Sequence, residues 1–94
     1  MSQQIIAKIW YAIKTGDYDM THHAFEKMAD DKLGVFDIET AVLSGQVVKI
    51  EKDDPRGSKY VINGVGTDQT APIGVVGRFK ETGIFLIITV YQIK

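Results

Sequence analysis

The chain has 94 residues, 45% of them hydrophobic and 24% charged, which is the composition of one ordinary globular domain spanning residues 1–94. Its 11 basic and 12 acidic residues give a net charge of −1, so no strong nonspecific grip on nucleic acid is expected. The absence of cysteine excludes disulfides and thiolate metal ligands, and together with the lack of a secretory leader or a long apolar run it predicts a cytoplasmic protein outside the membrane.

Three helices are predicted in the first half of the chain. In the first helix, Ile5, Ile9 and Ile13 recur at every fourth position, and Gly16 follows its end. The next stretch, "DYDM", is interpreted as a connector. Thr21 is a good N-cap for the second helix, and a third short helix runs through "DIETAVLSG".

From residue 46 onward the hydrophobic period changes from helical to strand-like. Four strands are predicted, at residues 46–51, 58–64, 72–80 and 84–94. The short turns between them predict an antiparallel meander. Helices followed by strands indicate an α+β domain, with the N-terminal helices packed on one face of a four-stranded antiparallel sheet.

The last predicted strand is apolar on both faces, which is typical of a strand near the middle of a sheet. Strict alternation would direct one wholly apolar set toward the helices, namely Ile84, Leu86, Ile88 and Val90. Thr89 and Tyr91 then share the other, partly covered face. In the preceding strand, Gly74 and Gly77 predict a bulge or a close approach of two segments.

Two adjacent histidines, His22 and His23, open the second helix and are the only histidines in the chain. Neighbours on a helix are about 100° apart, so the two rings cannot aim at one metal ion, and without cysteine a metal site is not predicted. The positive end of the helix dipole favours a neutral imidazole, which can accept a proton as a general base. In the alternative interpretation, one ring packs against the sheet and the other is solvated.

Polar residues on the predicted strands complete a set that can cleave RNA without a metal ion. A histidine and Tyr91 can transfer protons, Thr89 can hydrogen-bond a phosphate, and Arg78 can stabilise the charge that develops on it. Tyr91 can also stack on a base, and Lys59 is a further cation on a predicted strand. Each of these residues alone is equally compatible with a structural role, Arg78 as a solvent-facing charge and Tyr91 as an aromatic at the edge of the core.

The order of short motifs along the chain resembles a known family. Thr21, His23 and Ala24 form a "T-x-H-A" opening, which is followed by "EKM", "DIETAVLSGQVVK", "YVINGVG", "PIGVVGRF" and a closing "IITVY". Over about residues 18–92, these motifs together resemble the bacterial and phage family catalogued as domain of unknown function 4258.

This resemblance implies a relation to the barnase/EndoU/colicin/RelE-like group of small RNase toxins, and hence the same helices-on-a-sheet architecture. The residues that match are Thr21, His23, Thr89 and Tyr91. The sequence departs from the family pattern at two positions. Asp31 stands where members commonly have an arginine, and Gly74 stands where they often have a histidine.

Two interpretations are compatible with these residues. The first is a toxin-like, metal-independent endoribonuclease that needs no cofactor and has RNA and a neutralising antitoxin protein as partners. Its predicted catalytic residues are His23, Tyr91, Thr89 and Arg78, and its predicted substrate-binding residues are Thr21 and Lys59. The second is a non-catalytic, protein-binding or homodimeric member of the same fold. The near-neutral charge and the missing arginine favour it, as do Trp10 and Tyr11, which predict apolar surface on more than one side of the first helix.

Overall fold

The computed structural model describes residues 2–52, 54–68 and 72–93. The described helices are α1 (Ser2–Thr15), α2 (His22–Asp30) and α3 (Val35–Ser44). The described strands are β1 (Tyr18–Met20), β2 (Gln46–Glu51), β3 (Lys59–Val65), β4 (Pro72–Phe79) and β5 (Phe85–Gln92). Lys94, the end of the last predicted strand, lies outside the described residues. None of the described helices has both the length and the apolar character needed to cross a membrane.

The α+β class is confirmed, but the prediction of four antiparallel strands is wrong. The sheet has five strands in the order β1-β5-β4-β3-β2. The added strand, β1, comes from the stretch interpreted as a connector and pairs in parallel with β5, with Tyr18 beside Phe85 and Met20 beside Ile87. The other three pairings are antiparallel. Pattern reading misses β1 because three residues are too few to display an alternation.

The three helices form because each has a cap or stop and an apolar stripe. In α1 the stripe is Ile6, Ile9, Ala12 and Ile13, all buried. The helix is followed by Gly16, whose φ of +79° suits glycine. Trp10 is half-buried, and its indole N–H donates to the carbonyl of Val42 at 2.7 Å. Thr21 caps α2 as predicted, since its hydroxyl accepts a hydrogen bond from the N–H of Ala24.

The core lies between the helices and one face of the sheet. The fully buried strand residues are Ile62, Ile73, Val75, Phe85, Ile87 and Val90. They form one cluster with the buried residues of all three helices. α3 lies so close to β3 that a Cβ on Gly64 would be 1.8 Å from the carbonyl oxygen of Ala41. Among the described residues, no helix packs on the other face of the sheet.

A bulge in the β4–β5 pairing interrupts the alternation of β5. Val76 pairs with Thr89, but the next residue, Gly77, pairs with Ile87, so Ile88 has no partner on β4. A Cβ on Gly77 would be 2.5 Å from Cζ of Phe85, so this glycine gives the Phe85 ring its space in the core. Gly77 therefore marks the bulge that the sequence predicts.

The bulge also changes which residues of β5 face the helices. On the N-terminal side of the bulge, Phe85 and Ile87 are buried against the helices. On its C-terminal side, Val90 is the buried residue. The predicted inward set of Ile84, Leu86, Ile88 and Val90 is therefore wrong apart from Val90. A strict alternation cannot hold across a strand that contains an unpaired residue.

Candidate functional site

Most of the predicted site residues lie on the face of the sheet turned away from the helices, here called the open face. Because Val75 is buried in the core, its neighbours along β4 point to the open face, and Arg78 follows two residues later on the same side. Thr89 pairs with Val76 and Tyr91 pairs with Gly74, so both also belong to this face. On β3, β4 and β5 its members include Lys59, Val61, Asn63, Val65, Pro72, Gly74, Val76, Arg78, Leu86, Thr89 and Tyr91.

The register of the sheet sets the spacing of these groups. Arg78 lies on β4, the strand next to β5. Thr89 of β5 pairs with Val76, and Arg78 follows Val76 by two residues on β4. With strands about 4.8 Å apart and about 3.3 Å per residue, the Cα atoms of Arg78 and Thr89 are about 8 Å apart. The same geometry separates Arg78 from Tyr91 by about 14 Å. The guanidinium can therefore share a small ligand with Thr89, whereas Tyr91 contacts a different part of a longer ligand.

The ring of Tyr91 lies across Gly74. A Cβ on Gly74 would be 2.3 Å from Cζ of Tyr91 and 2.7 Å from its hydroxyl oxygen. The ring therefore packs directly on the backbone of Gly74. The sequence predicted either a bulge or a close approach at the two glycines of β4, and Gly74 is the site of a close approach. On the other side of Gly74, β3 contributes Asn63, which is paired with this glycine.

The polar groups of the open face are largely unused by the rest of the protein. Within the described ranges, Arg78, Thr89 and Tyr91 make no side-chain hydrogen bond or ion pair. The side-chain oxygen of Asn63 is enclosed and accepts no hydrogen bond from the described residues. Arg78, Thr89 and Tyr91 are therefore available to a ligand. The Asn63 oxygen is unusual, because buried polar atoms are nearly always paired in folded proteins.

Thr21 fixes the start of α2, and with it His23, beside the bulge of β5. The backbone N–H of Thr21 donates to the carbonyl of Ile87 at 3.0 Å, and its hydroxyl donates to the carbonyl of Ile88 at 2.8 Å. The start of α2 is thereby fixed beside the bulge, and the next residue of β5 is Thr89. His23 is two residues after Thr21, in the first turn of α2, and it is exposed.

The helical positions of α2 show which way His23 points. Ala24 and Met28 are buried and define the inward side of the helix. Phe25, about 100° to one side, lines a cleft with Val35 in the helical layer. His23 lies about 100° to the opposite side, away from this cleft. It shares this side of the helix with Lys27, one turn later.

The two predicted substrate-binding residues already have partners within the protein. The hydroxyl of Thr21 both accepts from Ala24 and donates to Ile88. Lys59 lies on the open face but is 3.8 Å from a carboxylate oxygen of Glu51, which also pairs with Lys49 at 3.3 Å. Thr21 therefore positions His23, and Lys59 is partly neutralised.

Two residues of this region, Lys27 and Asn63, were not predicted from the sequence to be site residues. Lys27 is half-buried, makes no ion pair with any described residue and lies one helical turn after His23. Lys27 follows His23 by four residues, and this spacing in the sequence indicates that both lie on the same side of the helix. Asn63 gives no such signal, because only the pairing of β3 with β4 brings it near Tyr91. Asp31, at the position where an arginine is common in the family, accepts a hydrogen bond from the N–H of Gln92.

None of the four predicted catalytic residues lines any of four clefts on the described part of the chain, and Lys59 lines one of them, beside Glu51. A cleft of about 770 Å³ opens elsewhere, between α1 and the turn that joins β4 to β5. None of the six predicted site residues lines it. No group of three or more metal-ligating side chains occurs in the described part of the chain. The arrangement is therefore suited to an extended ligand lying along the sheet.

Comparison with known proteins gives one match. The model of the family described as Domain of unknown function (DUF4258) matches residues 20–92. The matched segment includes all six predicted site residues and leaves out α1. No curated protein and no solved structure matches the chain. Because the match covers most of the sequence, the chain belongs to the DUF4258 family.

Proposed function

We propose that the chain is a toxin-like, metal-independent ribonuclease-type domain that holds single-stranded RNA across the open face of its sheet. The observation that carries the proposal is the set of polar side chains on this face that no described residue engages. A stable protein that leaves an arginine, a threonine and a tyrosine unpaired on one surface has them available for a ligand with acceptors, donors and an aromatic face.

The chemistry assigns one role to each group. One proton-transfer group removes the proton of a 2′-hydroxyl, whose oxygen then forms a bond to the adjacent phosphorus. A second group donates a proton to the 5′-oxygen as its bond to phosphorus breaks. His23 fills one of these roles and a water molecule the other, while Arg78 stabilises the phosphorane charge and Thr89 donates a hydrogen bond to a phosphate oxygen. Tyr91 was also predicted to transfer a proton, but it lies about 14 Å from Arg78 along the sheet and is therefore placed to stack on a base.

Lys27 supplies a second cation in this proposal. The family commonly has an arginine eight residues after the histidine, and Asp31 occupies that place here. Lys27 lies on the same flank of α2 as His23, so its ammonium group is available to a phosphate beside the imidazole. A lysine acts on phosphate as a point charge and not as a planar fork.

Cleavage of a labelled single-stranded RNA in excess EDTA tests the catalytic part of the proposal. His23→Ala is expected to lower the rate of cleavage by about 10²–10⁴-fold, the usual contribution of a general acid or base. The matched control is His22→Ala, because His22 is the adjacent histidine, is exposed and faces Glu26 at 3.7 Å. Equal rates for the two variants, or loss of wild-type cleavage in EDTA, would contradict the proposal.

The chain contains two arginines, and their comparison tests the phosphate role. Arg78→Ala is expected to weaken RNA binding about tenfold or more, since the open face loses its unpaired cation. Arg56→Ala is the matched control, because Arg56 is engaged by Asp54 at 3.1 Å in the β2–β3 turn. Fluorescence anisotropy at a fixed salt concentration measures both. Equal weakening would mean that only total charge matters.

The relation to small RNase toxins forms part of the same proposal and has its own test in cells. Expression of the wild-type chain is expected to slow bacterial growth, and His23→Ala is expected to relieve the effect. Such an activity requires a neutralising antitoxin protein, whose co-expression restores growth. Equal growth of cells that express the wild-type chain and the His23 variant at the same level would count against a toxin.

A second candidate is a non-catalytic domain that binds a protein or forms a homodimer. The observation that favours it is an exposed apolar corner where Phe25 of α2 lies near Val35 of α3. Phe25 is 51% accessible, and Phe36, the residue after Val35, is 76% accessible. Trp10 does not contribute, because it is half-buried and hydrogen-bonded to α3. If this corner is an interface, Phe36→Ser shifts the molecular mass measured by light scattering from dimer to monomer. A wild-type monomer would remove the homodimer.

A further inference from the structure

We infer that Asn63, Gly74 and Tyr91 form a nucleobase subsite that prefers bases with an exocyclic amino group. The inference rests on the proposed function, because it names the part of the RNA that this end of the open face recognises. It adds a specificity-determining residue, Asn63, to a site otherwise made of phosphate-binding and proton-transfer groups.

The first observation is the unpaired oxygen of Asn63. Its Oδ1 is closed to solvent and accepts no hydrogen bond from the described residues. A buried acceptor without a donor is costly for a folded protein, since it has lost its hydrogen bonds to water and gained none. Such a group is explained when a ligand supplies the missing donor.

The second observation is the arrangement of the three residues in one row. Asn63 pairs with Gly74, and Gly74 pairs with Tyr91, so the row crosses β3, β4 and β5. Neighbouring strands are about 4.8 Å apart. The only surface between the amide and the phenol is therefore the backbone of a glycine, on which the Tyr91 ring rests. The flat backbone surface of Gly74, between an aromatic ring and an amide, has a shape that can accommodate a planar base.

The chemistry of the amide oxygen determines which bases fit. Oδ1 accepts hydrogen bonds and cannot donate. Cytosine, adenine and guanine each carry an exocyclic amino group that can donate to it directly. In the position that directs the cytosine amino group at Oδ1, uracil presents the lone pairs of its O4 instead, and its single N3–H donor is displaced from the oxygen. The subsite is therefore expected to discriminate against uracil.

The inference includes a movement of Tyr91. Its ring covers Gly74, and Oδ1 of Asn63 is closed to solvent. Rotation of Tyr91 to another staggered rotamer frees the surface of Gly74. The base then occupies this surface, its amino group donates to Asn63, and the displaced ring stacks on its outer face.

Binding of short 2′-O-methyl oligonucleotides tests the inference without cleavage, because the attacking hydroxyl is blocked. Oligomers of cytidine, adenosine and uridine of equal length are compared by fluorescence anisotropy at one salt concentration. The wild-type protein is expected to bind the cytidine and adenosine oligomers about tenfold more tightly than the uridine oligomer, the effect of one hydrogen bond. Asn63→Leu is expected to abolish this preference.

The matched control is Gln46→Leu, which removes an exposed amide from the neighbouring position of the same row. It is expected to retain the preference. Asn63→Val, with a side chain that favours strands, provides a second variant that lacks the acceptor, and circular dichroism checks that each variant is folded.

The outcomes separate this inference from the proposed function. Equal wild-type binding to all three oligomers overturns the base subsite and leaves RNA binding intact. Absence of binding to any oligomer overturns both. A preference that persists in both folded Asn63 variants assigns recognition to another residue and overturns the inference.

Discussion

Asn63 is a residue at which stability and binding oppose each other. Its amide oxygen is enclosed but unpaired in the free protein, although β-branched or apolar residues would suit this position in a strand. An unsatisfied buried acceptor typically costs about 1–3 kcal/mol. A polar group at this position lowers the stability of the free protein. It is expected to make a favourable hydrogen bond only when a ligand is bound.

Replacement of Asn63 by leucine is therefore predicted to increase the free energy of unfolding by about 1 kcal/mol, because the unpaired acceptor is removed at similar volume. Urea denaturation monitored by circular dichroism measures the change. Gln46→Leu, at an exposed neighbouring position, is expected to change stability by less than about 0.5 kcal/mol. A loss of stability in Asn63→Leu would show that the amide is paired inside the protein.

Tyr18 connects β1 to α3. Its hydroxyl donates to a carboxylate oxygen of Glu39 at 2.5 Å. Burial, the hydrogen bond to Glu39 and the negative charge of Glu39 together raise the pKa of Tyr18 from 10.0 to about 12. The neutral phenol is thus favoured in the folded state.

This shift predicts a loss of stability in alkali. Below pH 10 the phenol is protonated in both states and its contribution is fully present. Between pH 10 and about 12 the unfolded chain releases the proton while the folded chain retains it, so stability falls as pH rises. Tyr18→Phe is expected to remove this part of the pH dependence in urea unfolding. Parallel alkaline profiles for the two proteins would show that Tyr18 does not cause it.

At the scale of elements, the junction of α2 with β5 decides where His23 lies. Thr21 is the only residue of this junction that both caps the helix and bonds to the bulge, through Ala24 and Ile88. A helix cap alone contributes about 1 kcal/mol, and the second bond anchors the helix to the sheet.

Thr21→Ala is predicted to lower the free energy of unfolding by about 1–2 kcal/mol, because both hydrogen bonds are lost. Thr21→Ser keeps the hydroxyl and is expected to retain most of the stability. Thermal or urea unfolding measures the difference. If the serine variant is as unstable as the alanine variant, the methyl group of Thr21 matters and not its hydroxyl.

The regular elements could be predicted from the sequence because their signals are local. The apolar stripe of α1, the cap at Thr21 and the alternation of β2 to β4 all act within a few residues. β1 could not be predicted, because its parallel pairing with Phe85 joins distant parts of the chain. The bulge at Ile88 arises from the packing of Phe85 against Gly77, which the linear pattern does not display.

In the candidate site, too, features that depend on neighbouring residues could be predicted, and features that depend on distant parts of the chain could not. Thr89 and Tyr91 share a face because they are two residues apart on the same side of the bulge, and this spacing is visible in the sequence. The partners of Thr21 and Lys59 come from other strands, so their engagement inside the protein could not be predicted. The pairing of Asn63 with Gly74 across the sheet is equally non-local.

At the scale of the whole molecule, the fold divides into a helical side and an open side. The helices bury the core residues of one face, and α1 contributes buried residues such as Ile9 although it lies outside the segment matched by the family model. With a net charge of −1, any affinity for RNA must come from local cations such as Arg78 and Lys27 and not from the total charge.

The most direct test of the account is a map of where RNA binds. Titration of the ¹⁵N-labelled protein with a short 2′-O-methyl oligonucleotide is predicted to shift the backbone amide signals of residues 74–78 and 88–91, together with the start of α2. Shifts confined to α1 and the turn at residues 80–84, which border the 770 Å³ cleft, with the signals of the open face unchanged, would contradict the account.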